Sequence, residues 1–227
     1  MAISTGDIIS SPKSVSHVSA CSLAALNSFE EVKTYLPQYL TNDSQKELFS
    51  ELKQFPSNLD QRFYTKHPPI SDIIYQGDGF SEMLMISLPS TETGCFPAMI
   101  LSNTCDLDVS NKRMQDVRIL YAPIIKLDKY KRMLLTKAYY SINRVYEHLD
   151  AIRKQRISHI FYLPIGQYLK YEGIVLLDRI NNCPRSSINS DFILKKRLFM
   201  LSNYGFYLFL VKLSINFSRI REGVDRV

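Results

Sequence analysis

The densest group of potentially reactive side chains lies in the segment 102–108, directly after an apolar run that predicts a buried strand. Cys105 could act as a nucleophile and Asp106 as a general base, while Asp106 and Asp108 together could hold a magnesium ion. The same residue types also form Asx-turns, in which Asn103, Asp106 and Asp108 cap backbone N–H groups and Cys105 points inward. No histidine lies within ten residues of Cys105 to activate its thiol, and this favours the turn.

The cysteines and histidines lack the spacing of a metal site. Four of each are scattered over 227 residues, without the closely spaced pairs that zinc needs. A magnesium ion would need more acidic support than Asp106 and Asp108 supply. We therefore predict no metal and no other cofactor. Free cysteines, the lack of a secretory signal and the lack of a membrane-spanning run lead us to expect a cytoplasmic protein with no membrane partner.

The positive charge of the chain is concentrated in one segment. From Lys126 to Arg156, nine Lys and Arg residues outnumber three acidic residues, so this segment carries the whole formal net charge of +6. Phosphates could bind these cations while bases stack on Tyr130, Tyr139 and Tyr140, which predicts nucleic acid as a partner. A solvated helix face is the alternative. The cations assigned to nucleic-acid binding are Lys129, Lys131, Arg132, Lys137, Arg153, Lys154 and Arg156.

Helical periodicity places these cations on a long helix and predicts a second helix near the C-terminus. Apolar residues recur at alternating spacings of three and four over 128–157 and again within 198–224. The two stripes could pack on the strand region, on each other within one chain, on a protein partner or across a homodimer axis. They comprise Leu135, Ala138, Ile142, Val145, Leu149 and Ile152, and then Phe206, Leu210, Leu213, Phe217, Ile220 and Val224.

Short β-rich runs occur on both sides of the basic helix, and turn-forming residues such as Gly77-Asp78-Gly79 separate them. Such a series predicts a small barrel. We expect a flexible leader over 1–20, a helical segment over 21–71, and a barrel domain over 72–227. That domain would contain a helical insertion at 128–157 and a C-terminal helix at 198–224. The predicted strand runs are 73–75, 83–88, 98–101, 117–122, 159–163 and 173–177.

Several blocks of this region resemble the barrel of MazF/PemK-type toxins. They are Gln76-Gly77-Asp78, the run FPAMILSN at 96–103 and the run VRILYAP at 117–123. The run GIVLLDRI at 173–180 is similar to the strand that lines the family's dimer surface. The resemblance implies an α+β protein with a small SH3-like barrel. It also implies a toxin–antitoxin or antiviral defence setting in a bacterium or phage.

The resemblance also implies that the family's ribonuclease site is absent. Phe96 stands at the position of the family's catalytic arginine, and Ile125 stands at the position of its catalytic hydroxyl group. Neither side chain can orient a nucleophile or stabilise a phosphorane. We therefore expect a binding or regulatory protein whose partner is nucleic acid, another protein or both. The alternative is a nuclease whose active site has moved to the 102–108 loop and the basic helix.

Overall fold

The computed structural model describes residues 41–66, 71–111, 114–137 and 140–218. The predicted leader, and the part of the predicted helical segment 21–71 that precedes Thr41, lie outside these residues. Within the predicted segment the structure has α1 (Asn42–Leu52), whose Leu48 is buried. From Asn42 onward the chain forms a single unit.

Seven strands form one antiparallel sheet in the order β4-β5-β3-β2-β1-β7, with β6 paired to β3. The predicted strand blocks before and after the basic helix therefore share one sheet, and the prediction of an α+β protein is confirmed. The predicted run 73–75 is not a strand, and β6 and β7 were not predicted. The strands are β1 (Gly79–Ser87), β2 (Glu92–Ile100), β3 (Arg118–Lys126), β4 (Ile160–Leu163), β5 (Gly173–Leu176), β6 (Asn181–Pro184) and β7 (Arg197–Phe199).

The sheet is open: β4 and β7 are at the two ends of the strand order and do not pair with each other in the described part of the chain. Two side chains nevertheless connect β1 to the β3–β6 ladder. The Tyr121 hydroxyl on β3 donates to the Leu84 carbonyl at 2.5 Å, and the Asn181 Oδ1 on β6 accepts from the Ile86 N–H at 2.8 Å. The sheet therefore curls until the edge of β1 that faces away from β2 lies beside β6.

The Gly77-Asp78-Gly79 turn is fixed by close packing and by a buried ion pair at the start of β1. Gly77 has a φ of +91°, a conformation that favours glycine. A Cβ atom on Gly79 would lie 2.3 Å from the ring of the fully buried Phe199. Asp78 is buried, 3.1 Å from Arg197 Nε, and accepts from the Tyr75 N–H. Burial raises the pKa of Asp78 to about 7 although Arg197 opposes the shift.

The basic segment forms two helices instead of the single helix that was predicted. These are α3 (Leu127–Leu135) and α4 (Ile142–Arg153). The Ser141 hydroxyl caps α4 by accepting from the Arg144 N–H, a local signal that starts a new helix within the apolar stripe. Val145, Leu149 and Ile152 of the stripe are buried, whereas Leu135 and Ile142 are exposed. Ala138 lies outside the described residues.

The apolar faces of α3 and α4 pack on the β4–β5 part of the sheet. Leu127, Leu134, Val145, Leu149 and Ile152 form one cluster with strand residues, namely Ile160, Tyr162, Ile174 and Leu176. The strand region is therefore the surface that buries this stripe.

The C-terminal helix, α6 (Asn203–Ser218), buries a face other than the predicted stripe. Its buried side chains are Tyr204, Tyr207, Leu208, Phe209, Val211 and Lys212, whereas the predicted Phe206, Leu210 and Leu213 are half-buried and Phe217 is exposed. Because α6 is apolar on most of its circumference, the spacing alone does not select one face. Ile220 and Val224 lie outside the described residues.

None of the helices in the described ranges is both long and apolar enough to cross a membrane. Two short helices, α2 (Thr104–Leu107) and α5 (Ser190–Lys196), complete the fold.

Candidate nucleic-acid interface

The C-terminal end of α4 is held by three well-placed hydrogen bonds. Gln155 has a φ of +58°, and its side-chain amide bonds both the N–H and the carbonyl of Tyr162 on β4, at 3.0 and 2.7 Å. The Gln155 carbonyl accepts from the buried Lys212 Nζ at 2.7 Å. The strand β4 and the helix α6 therefore fix the orientation of α4, and with it the face that α4 presents to solvent.

Cations lie over tyrosine rings beside this solvent face. We call this area the helical surface and define it as the exposed and half-buried residues of 126–156 together with Tyr171. Lys131 Nζ on α3 is 4.7 Å from the ring centroid of Tyr146 on α4. Arg144 lies 5.9 Å from the centroid of Tyr140, and Lys126 Nζ lies 4.9 Å from that of Tyr171. The Tyr146 residue is 50% exposed, so much of its ring can contact a ligand.

Three of the seven predicted cations form ion pairs. Arg132 pairs with Asp128, and Lys154 pairs with Asp150 at 2.6 Å, both one helical turn apart on an exposed face. Such pairs contribute only about 0.3–0.5 kcal/mol, so a phosphate can replace the carboxylate. Arg153 differs, because its guanidinium bonds both oxygens of Glu172 at 2.6 and 2.8 Å.

The pair between Arg153 and Glu172 joins the end of α4 to the residue that precedes β5. The side-chain hydrogen bond from Arg153 lowers the pKa of Glu172, and the Tyr162 hydroxyl donates to the same carboxylate at 2.8 Å. Arg153 therefore anchors the helix and is poorly placed to bind phosphate. Lys129, Lys131, Lys137 and Arg156 form no ion pair with any residue that the structure describes.

A tyrosine–histidine pair joins α3 to α4 within the helical surface. Tyr130 Oη lies 3.1 Å from His148 Nε2, and both residues are half-buried. Burial, and secondarily the charge of His159, lower the pKa of His148. Tyr130 is therefore engaged within the protein instead of being free to stack on a base. Of the other predicted stacking residues, Tyr140 lies under Arg144, and Tyr139 is outside the described residues.

Sequence reasoning missed several residues of this surface. Arg144 and Tyr140 are close in sequence, but Tyr140 precedes the Ser141 cap of α4, so their contact depends on the turn into the helix and not on helical spacing. Lys131 and Tyr146 are brought together only by the packing of α3 on α4, and Lys126 and Tyr171 only by the pairing of β3 with β5.

The 102–108 loop is held by hydrogen bonds of the kind that the Asx-turn alternative predicted. Asn103 Oδ1 caps α2 by accepting from the Cys105 N–H at 2.9 Å, and Asp108 Oδ1 accepts from the Ser110 N–H at 2.8 Å. That hydrogen bond lowers the pKa of Asp108. Thr104 Oγ1 accepts from the Gln76 N–H at 3.0 Å, which ties the loop to the start of β1. Cys105 is exposed and does not point inward.

The candidate catalytic residues stay together on this loop, with Cys105 and Asp106 on α2 and Asp108 directly after it. The described residues contain no group of three or more His, Cys, Asp and Glu side chains placed to hold a metal ion. At the two positions singled out by the resemblance, Phe96 is half-exposed on β2, and Ile125 on β3 pairs with Ile174 beside the α3–α4 cluster.

Comparison with known proteins gave no match, neither to a family model nor to a curated protein.

Proposed function

We propose that this protein binds nucleic acid through the helical surface. The observation that carries the proposal is the placement of Lys131 over Tyr146, Arg144 over Tyr140 and Lys126 over Tyr171 on the most cationic segment of the chain. Cations can neutralise phosphates while tyrosine rings stack on unpaired bases, and each stacked base contributes about 1–3 kcal/mol. A solvated helix face would need cations but would have no need of tyrosines beneath them.

We further propose that the curled sheet is a MazF/PemK-like, SH3-like barrel that serves as a scaffold. The bonds from Tyr121 to Leu84 and from Asn181 to Ile86 support this, because they bring the edge of β1 beside β6 as barrel closure requires. Under this proposal the protein would act in a toxin–antitoxin or antiviral defence system as a binding or regulatory component. That setting rests on the resemblance alone.

A nuclease with its active site at the 102–108 loop receives less support. Asn103, Thr104 and Asp108 already bond backbone groups of the loop or of its neighbours, so their oxygens act as caps. A catalytic role for Cys105 or Asp106 would need an activating base or a metal ion. We therefore favour a binding protein over an enzyme.

The test is a salt titration of binding to a fluorescein-labelled single strand of about 15 nucleotides, followed by anisotropy with the full chain. On a single strand each phosphate contact contributes about −0.7, so four to six contacts predict a log–log slope of about −3 to −4. Lys131→Ala with Arg132→Ala should weaken binding to every sequence and flatten the slope by about 1.4, with little change in stability.

The matched control is Lys195→Ala with Lys196→Ala, which removes two cations from α5 and should leave the slope unchanged. Both lysines are ion-paired, with Asp191 and Glu82 respectively. Equal effects of the two double variants would show that only net charge matters and would refute the assigned surface. Weak binding by the wild-type protein at physiological salt would refute nucleic acid as the ligand and would point to an acidic protein partner.

A further inference from the structure

The hairpin formed by β1 and β2 exposes an apolar face. Leu84 and Ile86 on β1 are 53% and 47% exposed, and Leu88, directly after β1, is 80% exposed. On β2, Cys95 lies opposite Leu84 and Thr93 lies opposite Ile86, and both β2 residues are exposed. None of these five side chains is charged. Exposed apolar patches of this kind mark sites of interaction with other proteins.

The main-chain groups show that one edge of this hairpin is open. Side chains of β3 and β6 bond the Leu84 carbonyl and the Ile86 N–H, so these two residues point away from β2. Because successive residues of a strand alternate, Thr93 and Cys95 of β2 point away from β1. The next strand, β3, pairs with 98–100 of β2. Thr93 and Cys95 therefore present two N–H and two carbonyl groups that bond no residue in the described part of the chain.

We propose that a second copy of the chain adds its own β2 to this edge, so that two hairpins form a four-stranded antiparallel sheet about a two-fold axis at Gly94. Thr93 of each copy then lies opposite Cys95 of the other, and the two pairs exchange four main-chain hydrogen bonds. Shifted registers would place Thr93 opposite Pro97, which has no N–H, or Cys95 opposite Thr91, whose φ of +54° is not extended. The edge is therefore complementary to itself in one register.

Phe96 and Gly94 favour a second copy as the occupant of this edge. A Cβ atom on Gly94 would lie 2.7 Å from the Phe96 ring, so the ring covers the glycine beside the open edge. Phe96 is 49% exposed. In the proposed pair each Phe96 lies diagonally across from Gly94 of the other copy, within reach of an aromatic side chain. The hairpin 79–100 contains no Lys or Arg, so the cations that give the chain its net charge do not lie on the paired strands.

Sedimentation velocity of the full chain tests whether this edge forms a dimer. The wild-type protein should shift from the mass of one chain to that of two between about 1 and 200 μM, the range in which weak complexes assemble. Thr93→Pro should lose the dimer, because it removes an N–H that points away from β1 and leaves the hairpin bonds in place. Thr93→Ala is the matched control: it keeps this N–H and should dimerise like the wild-type protein.

A disulfide crosslink tests the register. In a hydrogen-bonded antiparallel pair the opposed Cα atoms are about 5.5 Å apart, a distance that a disulfide can span. With copper–phenanthroline in air as the oxidant, the thiol introduced by Thr93→Cys and Cys95 of the other copy should each lose a proton and an electron and form an S–S bond. Most of the protein should then run as a covalent dimer without reductant. The wild-type protein should not, because its two Cys95 thiols are offset by two residues. Thr93→Cys with Cys95→Ser is the matched control and should crosslink no more than the wild-type protein.

These results decide the inference without reference to nucleic-acid binding. A wild-type protein that stays monomeric over the whole concentration range, or a dimer that survives Thr93→Pro, would overturn it. Crosslinking of Thr93→Cys no stronger than that of the wild-type protein would do the same, as would efficient crosslinking of the wild-type protein through Cys95. If circular dichroism shows that Thr93→Pro is unfolded, Thr93→Cys decides alone, because it keeps every main-chain N–H.

Discussion

Replacing Lys212 by methionine should remove a large pH dependence of stability. Lys212 is 4% exposed, lies on the buried face of α6, and donates a hydrogen bond to the Gln155 carbonyl at 2.7 Å. Burial lowers its pKa from the ordinary value of 10.5 to about 7. Methionine is similar in length and apolar, so it should fill the same space without the charge.

The magnitude follows from the protons that each state binds. Between about pH 7 and 10.5 the unfolded chain keeps Lys212 protonated while the folded protein releases the proton, so stability must rise with pH. At about 1.4 kcal/mol per pKa unit, the free energy of unfolding should increase by about 2 kcal/mol from pH 7 to 9 through this lysine. Asp78 has the opposite effect: because folding raises its pKa, it makes the protein less stable as the pH rises. Its pKa of about 7 means that most of this loss of stability occurs below pH 7.

The assay is urea denaturation of the wild-type protein and Lys212→Met at pH 7 and 9. The difference in stability between the two proteins should move by about 2 kcal/mol in favour of the wild-type protein at the higher pH. Loss of the hydrogen bond to Gln155 destabilises Lys212→Met by the same amount at both pH values. It therefore does not affect how the difference in stability changes with pH. If the two proteins show parallel pH profiles, Lys212 is protonated at both pH values and the burial argument fails.

Two further substitutions test how the sheet is built. Gly79→Ala should cost about 1–3 kcal/mol in urea denaturation, because its Cβ atom would lie 2.3 Å from the buried Phe199 ring. Gly94→Ala is the control. The atom nearest its Cβ, at 2.7 Å, belongs to the half-exposed Phe96 side chain, which can move aside. Equal losses of stability in Gly79→Ala and Gly94→Ala would contradict the packing argument. Asn181→Ala should speed hydrogen exchange of the Ile86 amide, whose N–H bonds Asn181 Oδ1, whereas Asn182→Ala should not. Unchanged exchange in Asn181→Ala would show that this bond does not protect the edge of β1.

The sequence predicted those parts of the fold that depend on local patterns. The run 83–88 became most of β1, and the apolar spacing of Val145, Leu149 and Ile152 identified the buried face of α4. The break between α3 and α4 escaped notice because Leu135 and Ile142 continue the same spacing through it. A capping residue such as Ser141 is a single local signal. It carried less weight than the apolar spacing of three and four, which continues across it and indicates one unbroken helix.

The unpredicted parts depend on contacts between distant segments. β7 has three residues and β6 contains a proline and two asparagines, so neither shows the alternation that marks a strand. Each is defined by the strand beside it, β1 for β7 and β3 for β6. The same holds for the candidate site, where a count of Lys and Arg residues located the surface but could not show which tyrosines lie beneath them.

The ion pairs determine which cations can bind phosphate. The carboxylate of Glu172 is partly buried, is bonded twice by Arg153 and once by Tyr162, and would be left with an unpaired charge if Arg153 turned towards a ligand. Leaving a buried charge without its partner costs more than an exposed phosphate contact returns. The Asp128 and Asp150 pairs are exposed and impose no such cost. Six of the seven predicted cations therefore remain available. Together with Lys126 and Arg144 they make eight candidate contacts, which sets the upper limit of the salt slope on a single strand at about −6.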